Sequence, residues 1–328
     1  MTPTPSDVHV NVPLSNISVA YFQDASAFIA DQVFPNIPVD KQSNTYYVYD
    51  RGDFNRDEMK ERAPSTESEG GGYKLSPDGL YFCRKYSVHK DIPDEVRGNA
   101  DAAINLDTEA SRYLSLKALI RREKLFTGTY FKAGVWAQDL TGVASGASGS
   151  QRLRWDDSAS DPVVQIKAEK REQQRRTGFK PNTLVIGPQV WDALTEHPDI
   201  IDRIKYGQTP GSPAIVSRQT IAALFEIERI LVAEAVENTA KEGLAEVSAF
   251  IAGKHALLCH VTPAPGLLTP TAGYTFSWTG MYGSSNLGTR VKSFRMDNIE
   301  SDRIEIDMCM DMRVVGADMG TFWAGIVS

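Results

Sequence analysis

The chain has 328 residues, 41% hydrophobic and 23% charged, with 42 acidic against 35 basic side chains and a formal net charge of -7. That length buries a large core in about one to three domains, and the acidic balance argues against a surface wrapped in nucleic acid, which needs clustered Lys and Arg to displace counterions. Cys83, Cys259 and Cys309 are far apart and outside any C-x-x-C spacing, so they suggest neither a disulfide framework nor a zinc knuckle, and no segment approaches the ~20 apolar residues that cross a bilayer.

The N-terminus MTPTPSDVHVNVP has no basic start followed by an apolar run, so it reads as no secretion signal and the protein is expected to be soluble in the cytosol when made. Residues 1 to about 16 are rich in Pro, Asn and small polar residues, too polar to offset the entropy of ordering, and read as an arm. SNISVAYFQDASAFIADQVFP continues it as a partly helical apolar patch closed by Pro35 and Pro38. Two aromatic, β-branched runs around TYYVY and GLYFCRKYSV then flank a long charged, Ser- and Gly-rich stretch. A connection of that length is functional, disordered or in contact with another chain. As a hairpin it reaches tens of Å, at about 3.3 Å per residue, beyond what its own core covers.

After Ile92-Pro93 the pattern turns helical. Leu106, Ala110, Tyr113, Leu116 and Ile120 share a stripe interrupted by Lys117, which predicts a spine helix from about Asn105 to Phe126, roughly 33 Å long. TGVASGASGSQ is a flexible segment. Asp161-Pro162 caps a helix ending at Gly178, whose run KAEKREQQRR reads as a solvated face rather than a nucleic-acid contact. In NTLVIGPQVWDALTEHPDIIDRIKYG, Leu184 to Ile186 form a strand buried on both faces, followed by two short helices entered at Pro188 and Pro198. RQTIAALFEIERILVAEAV repeats the alternation, so residues 182–290 are expected to form a compact unit. In SDRIEIDMCMDMRVVG, Ile304, Ile306, Met308, Met310, Met312 and Val314 alternate with Arg303, Glu305, Asp307, Cys309, Asp311 and Arg313. This predicts a long strand, one face greasy and the other charged, packed lengthwise on the spine helix.

No stretch carries recognisable chemistry. VIGPQVW places proline where a phosphate cradle needs an N–H donor, and Trp191 and Leu194 read as core anchors. There is no G-x-S-x-G, and His9, His89, His197, His255 and His260 have no ligand spacing. His255, Cys259 and His260 come nearest a metal cluster, but alternation points Cys259 and His260 to opposite faces. The carboxylate pairs Asp156/Asp157 and Asp199/Asp202 cannot be told from caps or surface charge by spacing, and Arg51-Gly52-Asp53 reads as chance. Met308, Met310 and Met312 read as adaptable core filler. No catalytic residue, cofactor or metal is expected.

An arm, a charged hairpin, a spine helix, a long strand and an inserted compact unit describe a subunit whose main contacts are with its neighbours. SNISVAYFQDASAFIADQVFP, YYVYDRGDFNRDEMKERAP, NTLVIGPQVWDALTEHPDIIDRIKYG and GYTFSWTG resemble those of tailed-bacteriophage major capsid proteins, whose fold is shared with encapsulins and the herpesvirus shell floor. The resemblance spans nearly the whole chain and implies an α+β capsid fold. Its parts would be an N-terminal arm (1–44), an extension loop (45–88), a peripheral domain (89–181 and 291–328) with the spine helix and long strand, and an axial domain (182–290).

The same resemblance implies self-assembly into hexamers and pentamers of an icosahedral shell around double-stranded DNA, held without sequence-specific binding. It also implies a virion location after assembly in the host bacterial cytoplasm, and separate scaffolding, portal and decoration partners. The chain opens almost directly on the arm, so a fused scaffold is not expected. Arg51, Asp53, Arg56, Asp57, Glu58, Lys60, Glu61 and Arg62 on the extension loop are the candidate inter-subunit contacts, setting register with a neighbour through charge complementarity. A connector or tail protein, and an encapsulin-like compartment, are the competing readings.

Overall fold

The computed structural model of the protein describes residues 23–100, 105–206, 216–266, 269–280 and 288–328. The first half of the expected arm lies outside the described residues. From there α1 (Ala30–Val33), β1 (Asn36–Val39) and β2 (Ser43–Tyr49) lead through α2 (Arg51–Phe54) to β3 (Leu75–Phe82) and β4 (Arg84–Pro93). Next come α3 (Asp94–Gly98), α4 (Leu106–Tyr130), β5 (Gln138–Val143), β6 (Gln151–Leu153) and α5 (Pro162–Thr177). The chain continues with β7 (Thr183–Ile186), α6 (Pro188–Glu196), α7 (Pro198–Tyr206), α8 (Arg218–Phe225), β8 (Arg229–Val232), β9 (Val236–Asn238) and β10 (Ser248–Phe250). It ends with β11 (Ala256–Cys259), β12 (Gly273–Trp278), β13 (Thr289–Met296), β14 (Ser301–Val314) and β15 (Gly320–Ala324).

The spine helix α4 is real and ends four residues beyond the expected Phe126, at Tyr130. Its start is set by Asn105, whose side chain accepts from the Thr108 N–H at 3.0 Å. Leu106, Ala110 and Leu114, repeating every four residues, pack with Ile92, Val96, Ile304 and Ile306. Tyr113, placed in the buried stripe from sequence, is 42% exposed, because the contact row runs along the four-residue spacing through Leu114 instead. The helix persists to Tyr130 because Phe126 is still core and the Tyr130 hydroxyl donates to the Met312 carbonyl.

Strand β14 is the long strand read from sequence, 14 residues or about 46 Å at 3.3 Å per residue. Along one edge it pairs with β4, and along the other with β13 and then β12, which in turn holds the edge strand β1. An edge position is where Pro38 of β1 is tolerated, lacking an N–H to give. Met308, Met310 and Met312 are core residues packed with Phe34 and Phe126, as their alternation implied. The opposite face is not simply charged and solvated: Cys309 is buried with Tyr81, Cys83, Tyr274 and Phe276, and Asp307 is fully buried. Asp307 is tolerated there because Lys85, Arg290 and Lys292 reach it at 3.1, 3.2 and 3.5 Å and Ser87 donates to it at 2.6 Å. Burial pushes its carboxyl up, but those hydrogen bonds outweigh it and hold the group well below the usual carboxylate range.

The second sheet has the order β6-β5-β15-β11-β7-β8. Its β7 is buried on both faces: Leu184 and Ile186 face a core with Trp155, Phe225 and Trp323, and Val185 faces the core shared with the methionines of β14. This sheet draws strands from both sides of the expected bounds, 89–181 with 291–328 and 182–290. β15, assigned from sequence to the peripheral part, lies between β5 and β11, with Leu257 opposite Phe322. β12, assigned to the axial part, pairs with β14 instead. Hydrogen-bonded ladders, not chain contiguity, decide which sheet a strand joins.

Helix α5 is capped as its sequence implied, by Asp161 accepting from the Val164 N–H and by Gly178 at φ 82°. Its KAEKREQQRR run is not a solvated face throughout. Glu169, Lys170 and Gln173 are buried, with Lys170 Nζ donating to the Glu226 carbonyl at 2.6 Å and Gln173 to the Met319 carbonyl at 2.8 Å. Long polar side chains can be buried where each finds a carbonyl or counter-charge.

Candidate assembly surface

The extension loop is a hairpin of β2 and β3, paired from Ser43↔Phe82 to Tyr49↔Leu75, with a bulge between Tyr46 and Val48. Its base is clamped. Phe276 of β12 is stacked by Tyr81 at 4.5 Å and by Tyr46 at 5.4 Å between ring centroids, the Phe82 N–H donates to Asp311 at 2.9 Å, and the Cys83 N–H donates to the Gln42 carbonyl at 2.8 Å. Beyond that clamp nearly every residue from 50 to 78 is exposed.

The candidate residues all lie on this outer part. Asp50 caps α2 through the Gly52 N–H, and Arg51 reaches Asp318 of the body at 2.5 Å. Asp53 accepts from the Lys74 N–H at 2.9 Å and is 3.3 Å from Arg56, which also meets Glu58 at 3.5 Å. Asp57 accepts from the Met59 N–H, Lys60 pairs with Glu69 at 2.9 Å, and Arg62 donates to the Thr66 carbonyl. Glu61 is exposed beside them. Apart from the Arg51–Asp318 contact, these bonds are internal to the loop. They hold its shape without tying it to its own subunit.

Charge was only half of the surface. Tyr47, Phe54, Met59, Tyr73, Leu80 and Phe82 of the same hairpin are 60%, 55%, 93%, 63%, 56% and 48% exposed. Phe54, Tyr49 and Tyr73 form an aromatic cluster with centroids 5.4 to 5.9 Å apart. A string of large apolar side chains held in water marks an interaction surface, and apolar and aromatic groups carry most of the energy of such contacts. The signal was present in TYYVY and GLYF, whose aromatic residues fall on both faces of a two-stranded hairpin that has only one anchored end.

The rest of the molecule offers little that resembles a reaction centre. Among the described residues no group of three or more His, Cys, Asp or Glu side chains could hold a metal ion. His255 accepts from the Gly325 N–H at 2.9 Å, His260 Nδ1 lies 2.8 Å from the Lys180 carbonyl, and Cys259 is buried, its thiol pushed up to about 12 by burial. The Gly187-Pro188 turn holds no phosphate cradle: a Cβ at Gly187 would lie 2.1 Å from the Gly253 carbonyl oxygen, so the glycine serves close backbone packing. Leu194 is a core residue and Trp191 lies half-buried against the same core. No helix of the described residues is long and apolar enough to cross a membrane.

No family model matches the chain. It is 25% identical over 326 residues to the major capsid protein of Burkholderia phage BcepMu, covering 97% of this chain and 96% of that one. The major capsid protein of Pseudomonas phage JBD67 is 24% identical over 320 residues, covering 97% of each. The chain is a relative of the phage major capsid proteins. The capsid of Cyanophage P-SCSP1u superposes with a TM-score of 0.60 at 10% identity over 98% of each chain, so the capsid fold extends over the whole subunit.

Proposed function

We propose that this protein is a major capsid protein that assembles into the icosahedral shell enclosing a double-stranded DNA phage genome, and that it catalyses no reaction. One observation carries the reading: a hairpin clamped at its base and studded beyond it with exposed aromatic and charged side chains, in a chain matched end to end by phage major capsid proteins. Such a hairpin gains nothing for a lone subunit and supplies a heterologous contact that closes into rings when repeated.

In this reading the extension loop lies on the adjacent subunit, the axial bodies surround the centres of hexamers and pentamers, and the shell resides in the virion after assembly in the host cytoplasm. A net charge of -7 suits a container whose wall must not adhere to packed DNA. Separate scaffolding, portal and decoration proteins complete the set of partners. Electron microscopy of the purified, concentrated protein tests the proposal: closed shells of uniform diameter are expected. Rings of about a dozen subunits would point to a connector, and a stable monomer under all assembly conditions would overturn it.

A further inference from the structure

A groove of about 410 Å³ runs between α4 and β4, and its rim is basic. On β4, strand alternation puts Arg84, Tyr86, Val88 and Lys90 on the face turned to the helix, opposite Met310, Met308, Ile306 and Ile304. On α4, Tyr113, Lys117 and Arg121 follow one another at four-residue spacing. Lys90 and Lys117 sit 5.8 and 5.2 Å from the Tyr113 ring centroid, and the Arg121 guanidinium lies 4.9 Å from that of Tyr86. None of Arg84, Lys90, Lys117 and Arg121 has a carboxylate within salt-bridge distance among the described residues, whereas Lys85, on the other face of β4, pairs with Asp307. Glu109, the carboxylate in the same helical row, lies two turns before Lys117, about 12 Å away at 1.5 Å per residue.

Four uncompensated cations in a chain of net charge -7 mark a place where an anion arrives from outside the subunit. Two features select its kind. The groove's floor is already closed, with Ile306 and Met308 only 6% and 4% exposed, so an acidic protein segment would find no open apolar seat for the buried anchor that such contacts depend on. Both tyrosine rings already carry cations, so the bases of a single strand find no free ring to stack on. What remains is charge along a line. Arg84 to Lys90 spans about 20 Å at 3.3 Å per residue, the length of about six phosphates of one DNA strand at 3.4 Å each. We propose that this stripe lies on the inner wall of the shell and takes the phosphate backbone of the enclosed double-stranded DNA, without reading its sequence. The inference rests on the shell-subunit reading and gives the genome one point of contact per subunit. Repulsion from the acidic remainder of the chain confines that contact to the stripe.

The test is a salt titration of the full chain, before assembly, against a short fluorescent DNA duplex. Lys117→Gln with Arg121→Gln should weaken binding about tenfold at about 50 mM salt and lower the slope of log K against log salt by about 1.8, equally for two unrelated sequences. Arg112→Gln with Lys132→Gln, equal in charge and outside the stripe, should change neither. A stripe variant that binds like its parent would overturn the proposal, and so would a control that loses as much, because bulk charge would then be the cause. Tighter binding of polyglutamate than of duplex would reassign the stripe to an acidic protein. In case the double variant does not fold, Lys117→Cys supplies a second measurement, since the chain's own three cysteines are buried. A photoreactive label on it should crosslink to DNA inside filled particles, and particles without such crosslinks would overturn the inner-wall placement. Shell formation by the glutamine variant should match the parent. A parent chain without closed shells therefore counts against the proposed function, and shells whose subunits bind duplex independently of Lys117 and Arg121 count against the stripe.

Discussion

Tyr46 lies against Gly79 on the facing strand, so closely that a Cβ on the glycine would fall 2.4 Å from the Tyr46 ring. The other partner of that ring is Phe276 of β12, itself stacked by Tyr81. The glycine gives Tyr46 the space to bridge hairpin and body. Gly79→Ala must displace the ring and open the stack, at a cost of about 1–3 kcal/mol typical of overpacking. Urea unfolding of the variant should show the loss, with a drop in shell yield. Unchanged stability would mean that the ring is free to turn aside and is not the clamp.

Glu123, buried on α4, accepts from the N–H groups of Ile29 and Ala30 at 3.0 Å each, fastening the end of the arm to the spine helix. Desolvation raises its carboxyl from 4.5 to about 7 against the opposing pull of those two hydrogen bonds. Between these values the native state binds more protons than the unfolded chain, so stability falls as pH rises through the window and is lowest above it. Glu123→Gln keeps an acceptor oxygen without the charge. Thermal unfolding from pH 5 to pH 8 should lose this part of its slope and gain up to about 3 kcal/mol at pH 8, from 1.36 kcal/mol per pKa unit. An identical pH profile in parent and variant would contradict the assignment.

Asp307 joins three strands, drawing in Lys85 from β4 and Arg290 and Lys292 from β13. Its depressed carboxyl contributes stability that is present above the unfolded value of 3.8 and is lost as the solution is acidified below it. Asp307→Asn strands three cations around a neutral side chain, and about 3 kcal/mol of stability should disappear at neutral pH. Denaturation midpoints of the two chains provide the check. A loss of less than about 0.5 kcal/mol would show that water already compensates the cations.

The outer hairpin should behave in the opposite way. Phe54→Ser with Met59→Ser, or reversal of Asp57, Glu58 and Glu61 together, touches side chains that are exposed in the subunit or, for Glu58, half-buried within the loop itself. Subunit unfolding is expected to stay within about 0.5 kcal/mol of the parent, while shell formation, followed by light scattering, is impaired. Particles formed at the parental rate would remove the loop from the assembly contact.

Local signals were readable from the chain and long-range pairing was not. The alternation of Ile304 to Met312, the stripe of the spine helix and the caps at Asp161 and Gly178 depend on neighbours a few residues away, and the elements they implied are present. The move of β15 into the second sheet depends on Ala256 meeting Trp323 and Thr321 meeting Gln138, contacts that leave no period in the sequence. Tyr113 and Leu114 exchanged roles because neighbouring helical positions differ by only about 100° and the packing angle decides between them. The candidate loop residues were found by their charge. The apolar side chains beside them were passed over because aromatic residues in a strand usually signal a core.

Without β15 the second sheet falls into two pieces, β6-β5 and β11-β7-β8, with the strip between them missing. Only when Gly320–Ala324 is in place can Phe322 and Trp323 fill both cores and join the halves. The body that carries the hairpin is therefore rigid only when this one strand is seated between its two halves.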